Sequence, residues 1–244
     1  MKFSLDALNQ SLADARKCKD LIVGFSGGID SSVLLHGVSL LARKGLLQTN
    51  IKAIHINHGI NESCNQWASF CARICSDYKV SLEIKVLTGS YNLSEGINEE
   101  ILRKERYRAF NSSLASESGL LLAHHNDDQL ETLLLRLNRG AGVRGLSGMQ
   151  ESRPLGKGTI YRPLLKFDRQ SIEEFAKNEG LEWIEDDSNT DTRMDRNFLR
   201  HEVLPQIESR WPNYRRSWFK SLTLINEAYA VEQKQAEEDL SALS

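Results

Sequence analysis

An α/β fold, a parallel sheet covered by helices on both faces, is the class that this sequence predicts. Three observations carry the prediction. Short, nearly unbroken apolar runs recur through the first half of the chain, stretches with apolar residues at helical spacing separate them, and most runs hand over to a loop rich in glycine, histidine or aspartate. Strands buried on both faces read as continuous apolar segments, and parallel strands need crossovers of about a dozen residues or more, which helices supply.

The elements follow in order. LIVGF, from Leu21 to Phe25, has the length and apolarity of a buried strand. A helix is predicted over residues 30–43, where Val33, Leu34, Val38 and Leu41 repeat at helical spacing. The second strand is expected over 51–56, the third over 82–87 and the fourth over 120–123, with helices over 62–78 and 98–116 between them and another over 127–138. A polar helical pattern starting near Trp218 runs toward the end of the chain and reads as a helical C-terminal extension. Each of three strands ends in a chemically loaded loop: SGGIDSS after the first, HINHGINES (55–63) after the second and AHHNDDQLET (123–132) after the fourth. RKERYR (103–108) lies on the third helix, and the glycine-dense RGAGVRGLSGM (139–149) follows the fourth. In a parallel sheet, ligands bind beyond the carboxyl ends of the strands, so these segments converge on one edge.

Bulk properties bound the function. With 244 residues, 40% hydrophobic and 26% charged, the chain can bury a full core and has an ordinary globular composition. No apolar run approaches the roughly 20 residues of a membrane helix. The opening MKFSLDALNQSLADARKCKD is charged where a secretory signal is apolar, so the expected compartment is the cytoplasm and no membrane partner is expected. The four cysteines contain no C-x-x-C pair, which argues against a disulfide scaffold or a zinc or iron–sulfur knuckle; Cys71 and Cys75, four apart on a helical pattern, read as packing. The net charge of −2 conceals an asymmetry: residues 193–220 carry seven Lys/Arg against three Asp/Glu, and 221–244 carry one against five. Trp211, Tyr214, Trp218 and Phe219 interleave with the basic residues. That pattern suits phosphate contact and base stacking, and equally a solvated helix face with aromatics in the core.

Two readings also fit the loops. Ser26, Gly27 and Gly28 form either a tight turn capping a helix or a cradle in which backbone N–H groups and a helix N-terminus hold phosphate. The chain has neither G-x-x-x-x-G-K-[ST] nor a G-x-G-x-x-G after a predicted strand, so neither a P-loop NTPase nor a nicotinamide enzyme is suggested. Asp127 and Asp128 open a predicted helix, where carboxylates are favoured by about 0.3–1 kcal/mol, and His124 and His125 suit a core as well as a site. Asp30 and Asp127 or Asp128 are also the hard oxygen donors that Mg²⁺ takes when it bridges phosphates.

SGGIDSS resembles the SGGxDS signature of the N-type ATP pyrophosphatase, or PP-loop, superfamily. In combination with HINHGIN, AHHNDDQLETLLLRLNRGAGVRGLSGM, RPLL (162–165) and DDSNTDTRMDRNFLRHEVLP (186–205), it resembles the tRNA(Ile)-lysidine synthases within that superfamily, over about residues 20–205. One departure is Asn61, where the family's histidine segment usually continues to an arginine. The resemblance implies a Rossmann-like PP-loop fold over residues 1–215, with residues 216–244 as the start of a helical C-terminal region. It implies ATP-dependent joining of free lysine to the wobble cytidine of an isoleucine tRNA with a CAU anticodon: ATP adenylates the base with release of pyrophosphate, then the lysine amine displaces AMP. Ser26, Gly27, Gly28, Ile29, Asp30 and Ser31 are then expected to bind ATP. Asp30, Asp127 and Asp128 are expected to hold Mg²⁺, while Arg106 contacts phosphate or adenylate and His124 handles a proton or touches the nucleotide. Arg139 and Arg144, in a glycine-rich loop expected to be mobile, and Arg193, Arg196 and Arg200, three or four apart as on one helix face, are expected to contact the tRNA. A homodimer is compatible with the resemblance. The nearest rivals are a tRNA thiolase, which would use paired or cradle-side cysteines absent here, an amide-forming ligase with its ammonia source, and a non-catalytic nucleotide-sensing or RNA-binding module.

Overall fold

A computed structural model describes residues 1–59, 63–87, 99–186 and 190–242. Asn61 and the stretch 187–189 of the DDSNTDT segment lie outside the described residues. The chain divides into two compact units, one made of 1–125 with 151–185 and the other of 126–150 with 186–244.

The first unit holds a six-stranded sheet in the order β3-β2-β1-β4-β6-β5. Its strands are β1 (Asp20–Gly24), β2 (Asn50–Asn57), β3 (Ser81–Val86), β4 (Ser118–Leu121), β5 (Ser152–Leu155) and β6 (Gly158–Tyr161). The first four run parallel, as expected, β6 adds to them parallel to β4, and β5 pairs antiparallel with β6. This hairpin was not expected from the sequence. SRPL and GTIY are short, mixed in polarity and interrupted by Pro154, which a sheet tolerates on an edge strand because its missing N–H faces outward.

Helices α1 (Leu5–Ser11), α2 (Ile29–Arg43), α3 (Ser63–Tyr78), α4 (Glu99–Ser113) and α7 (Arg169–Asn178) belong to the same unit. Two apolar clusters lie in this unit. Leu21, Val23 and Phe25 pack with Leu34, Val38 and Leu41 of α2, Cys71 and Cys75 of α3, and Ile172 and Ala176 of α7. Ile22, Ile54, Leu120 and Ile160 pack with Phe110 and Leu114. Alternate residues of β1 therefore feed opposite faces, which explains why the strand reads as an unbroken apolar run.

The second unit is helical: α5 (Asn126–Asn138), the single turn α6 (Val143–Leu146), α8 (Asp195–Phe198), a π-helical turn (Leu199–Val203), α9 (Leu204–Arg210) and α10 (Tyr214–Ala242). Leu130, Leu204 and Tyr214 form its buried centre, with Trp218 and Phe219 packed against it. These aromatics of the basic segment thus serve packing, and α10 begins four residues before the expected start. No helix among the described residues is long and apolar enough to cross a membrane.

Candidate active site

The cradle is built where β1 gives way to α2. Gly27 adopts φ +90°, and a Cβ there would lie 2.7 Å from Ile184 Cδ1 and 3.2 Å from Cys71 Sγ, so glycine is required by both conformation and space. The carbonyls of the turn are held: Gly27 O accepts from Ile184 N–H at 2.9 Å, and Gly28 O accepts from Ser32 N–H at 3.0 Å and Ser31 Oγ at 2.9 Å. Ser26 Oγ lies 3.0 Å from Ser31 Oγ. Gly28 is the N-cap of α2 with no side-chain cap, and Ser32 N–H makes the bond back to it, so the amides of the first turn are those a helix leaves without internal partners. A fifteen-residue helix adds its positive end at that point. Backbone amides and a helix N-terminus gathered at one turn are chemically able to hold an oxyanion.

Asp30 stands on the first turn of α2 with a side chain 28% exposed, its Oδ2 3.7 Å from Nε2 of buried His125. His124 precedes it in the same β4–α5 connection and is half-buried. Arg106 of α4 is half-buried, and its charge, after burial, is the second cause holding His58 below the ordinary histidine range. Beside it on α4, Tyr107 meets three arginines. Arg153 and Arg103 lie over its ring at 5.1 and 5.8 Å, and buried Arg162, of the RPLL segment, bonds its hydroxyl. Burial pushes the phenol up, but Arg162, Arg153 and Arg103 together bring it below its ordinary value.

In the second unit, Asp127 and Asp128 open α5 as expected, and both face arginines. Asp127 pairs with Arg215, and Asp128 Oδ1 lies 3.6 Å from Arg200. Arg200 Nε donates to Glu131 Oε1 at 2.7 Å; Glu131 is fully buried, and its second oxygen has no hydrogen-bond partner among the described residues. Burial raises the Glu131 pKa, which Arg200 partly offsets and Asp128 reinforces. Sequence reasoning passed over Glu131, because within NDDQLETLLLRLN it reads as one polar position of an amphipathic helix.

Arg139 and Arg144 are exposed, the first just beyond α5 and the second on α6. The glycine-rich segment around them is tied to α5. Arg136 donates to the carbonyls of Gly145 and Gly148, and the Gln129 amide bonds both Met149 N–H and Met149 O, at 2.6 and 2.7 Å. These bonds fix the far end of the segment, from Gly145 to Met149, to α5. Arg193, Arg196 and Arg200 do not share a regular helix either: Arg193 precedes α8, Arg196 is on it, and Arg200 is in the π-helical turn. Arg193 is 89% exposed and bonded to Asp191, whose carboxyl it pulls down to about 2.

Mg²⁺ keeps near-octahedral oxygen coordination, usually with one or two carboxylates and the oxygens of a bound phosphate. Asp30, a partly exposed carboxylate in the first turn of the cradle helix, fits that role. Among the described residues no group of three His, Cys, Asp or Glu is arranged to hold a metal, so an all-protein cage is not what these residues offer.

A parallel sheet whose first strand turns through serine and glycine into a helix N-terminus defines a nucleotide-phosphate-binding domain of the α/β class. Residues 3–207 match the family described as PP-loop domain, and the chain belongs to that family; ATP is its nucleotide. The chain is 41% identical over 235 residues, 96% of its length, to the tRNA(Ile)-lysidine synthase of Yersinia pseudotuberculosis serotype O:1b (strain IP 31758), of which it covers 51%. It is 39% identical over 241 residues, 99% of its length, to that of Coxiella burnetii (strain RSA 493 / Nine Mile phase I), covering 53%. The chain therefore spans about half the length of the curated relatives it matches. Among solved structures, the U34-tRNA thiolase NcsA from Methanococcus maripaludis superposes with a TM-score of 0.72 at 19% identity, over 91% of this chain and 78% of that one, which shows the shared fold.

Proposed function

We propose that this chain carries the catalytic PP-loop domain of a tRNA(Ile)-lysidine synthase, joining free lysine to the wobble cytidine of a CAU-anticodon isoleucine tRNA at the expense of ATP. The single observation that supports it best is the Ser26–Ser31 cradle in a chain about 40% identical, over most of its length, to proteins of that name. In this reading residues 1–215 are the catalytic segment and 216–244 a helical extension, and the reaction runs in the cytoplasm, where tRNA, ATP and lysine meet.

The residues divide the work. Cytosine's carbonyl oxygen leaves poorly until it carries AMP, so the first task is to hold the pyrophosphate of ATP while its α-phosphate is attacked. Ser26, Gly27, Gly28, Ile29, Asp30 and Ser31 do this through amides and hydroxyls aimed at developing negative charge. Mg²⁺, when bound, neutralises charge on the phosphates, and Asp30, Asp127 and Asp128 are its proposed ligands. For the last two, that role requires Arg215 and Arg200 to yield the carboxylates they hold in this structure. Arg106 lies on α4 beside the cationic cluster and contacts phosphate or adenylate, and half-buried His124 holds or moves a proton. Exposed Arg139, Arg144 and Arg193, with Arg196, offer guanidiniums to tRNA phosphates. Arg200, engaged with Glu131, acts there only if that pair opens.

The test is pyrophosphate release from ATP with a CAU-anticodon tRNA, with and without lysine. Lysine incorporation into the tRNA with release of AMP supports the reading. Turnover that transfers no lysine refutes it in favour of another base-adenylating enzyme of the family.

A further inference from the structure

We infer that His55 is a positioning residue of the nucleotide cradle, fixing the peptide from which the cradle springs through its Nδ1–H bond to the Phe25 carbonyl. The inference rests on the reading of Ser26–Ser31 as the ATP site. It starts from the point where the ladder ends. Register between β1 and β2 runs from Asp20 to Gly24, and Phe25 N–H still bonds Ile54 O at 2.9 Å. The chain then leaves the sheet, and the carbonyl of Phe25, whose residue is 1% exposed, needs a donor that the sheet no longer supplies. His55, on β2 and 3% exposed, provides it at 2.9 Å, and the Cys71 thiol, a weak donor, adds a longer contact to the same oxygen at 3.9 Å. The same ring nitrogen lies 3.4 Å from Cys71 Sγ, which packs beneath Gly27.

That bond does more than satisfy an acceptor. A peptide unit is planar and trans, so the C=O of one residue and the N–H of the next point in opposite directions. Holding the Phe25 carbonyl toward His55 therefore aims the Ser26 N–H the other way. Ile184 does the same for the next-but-one peptide, by holding the Gly27 carbonyl and so aiming the Gly28 N–H. The bond to Phe25 O also settles the ring's tautomer, with the proton on Nδ1. Burial holds the imidazole below its ordinary pKa, and the Phe25 bond opposes that only in part.

The isosteres separate positioning from packing. The side-chain amide nitrogen of asparagine falls where Nδ1 of histidine lies, so His55→Asn keeps the donor while losing ring volume, whereas His55→Leu keeps apolar bulk and loses the donor. The full chain and both variants are titrated with ATP and, separately, with inorganic pyrophosphate by calorimetry, and each is melted. Amide exchange of the peptide spanning the cradle is followed without ligand. We expect His55→Asn to bind ATP within about threefold of wild type, and His55→Leu to lose about tenfold or more, as leaving a buried acceptor unmade does. Cradle exchange should quicken in His55→Leu alone. The inference is overturned if His55→Leu binds ATP as wild type does, or if both variants lose affinity equally. Failure of the wild-type chain to bind ATP would strike the reading of the cradle instead, and the exchange comparison would still decide whether His55 holds the turn.

Discussion

Replacing Gly27 with alanine measures how tightly the cradle is built. At φ +90° a residue with a side chain is held in a sparsely populated region, at a cost of about 1–3 kcal/mol. The new Cβ would also lie 2.7 Å from Ile184 Cδ1 and 3.2 Å from Cys71 Sγ. Overpacking costs about 1–3 kcal/mol, and the low end applies because the atoms met are ends of side chains that can give a little. The total is about 2–4 kcal/mol, which for a chain of this size lowers the melting temperature by roughly 5–15 °C. Thermal melts of Gly27→Ala, Ile184→Val and the double variant divide the two costs. Ile184→Val removes the Cδ1 that would be struck, so the double variant should recover about 1 kcal/mol relative to additivity and leave the backbone cost in place. A Gly27→Ala chain melting within about 2 °C of wild type, and binding ATP normally, would refute the claim that the turn requires glycine.

Asp30→Asn, which keeps the side chain's size in a partly exposed position, should reduce pyrophosphate release about a hundredfold or more and move the melting temperature less than Gly27→Ala does; near-normal release would remove it from the mechanism. Arg139→Ala and Arg144→Ala should each weaken tRNA binding and lower its salt slope by about one, with the melting temperature and ATP affinity unchanged because both side chains are exposed; an unchanged slope would place them off the RNA. The fold should lose stability in mild acid. Burial is the first cause depressing the pKa of His36, His55 and His58, so the folded state binds these protons less readily than the unfolded chain. Their contribution is present above the unfolded value of about 6.5 and is lost as pH falls through the folded values. A melting temperature that stays flat from pH 7 to pH 5 would contradict this.

The Ser26–Ser31 turn at the strand-to-helix junction was legible in the sequence because its pattern is local. Glycines at a strand-to-helix junction, with serines and an aspartate beside them, can be read from seven consecutive residues, and the structure places them on one turn and one helix N-terminus. β1 and β4 were legible because burial on both faces leaves unbroken apolar runs, β2 and the exposed edge strand β3 because apolar residues recur along them between polar ones, and the boundaries of all four moved by no more than two residues. The β5–β6 hairpin was not, because its four-residue strands derive stability from pairing with β4 rather than from their own composition. Glu131 was missed, and His55 was noted only as part of the HINHGINES loop, for a related reason. Each matters through one partner, Phe25 O or Arg200, that lies 30 or 69 residues away, and no local pattern marks such a pair.

The arginines of the 193–200 segment show how a correct spacing can support too simple a geometry. Residues three and four apart share a face only while the backbone keeps 3.6 residues per turn. Here the chain passes from α8 into a π-helical turn at Leu199–Val203, where each turn holds more residues and the positions that follow rotate away from the face set before it. Arg200 falls inside that turn, and its guanidinium meets Glu131 and Asp128 on α5 while Arg193 remains 89% exposed. Pairing Arg200 also explains how α5 keeps a carboxylate with no solvent exposure: a buried charge needs an opposite charge and hydrogen bonds, and removing one partner leaves the other uncompensated. Arg200, half-buried, bonds Glu131 directly and Arg196, one turn earlier, adds its charge to the same carboxylate, while the segment's start leaves Arg193 in solvent.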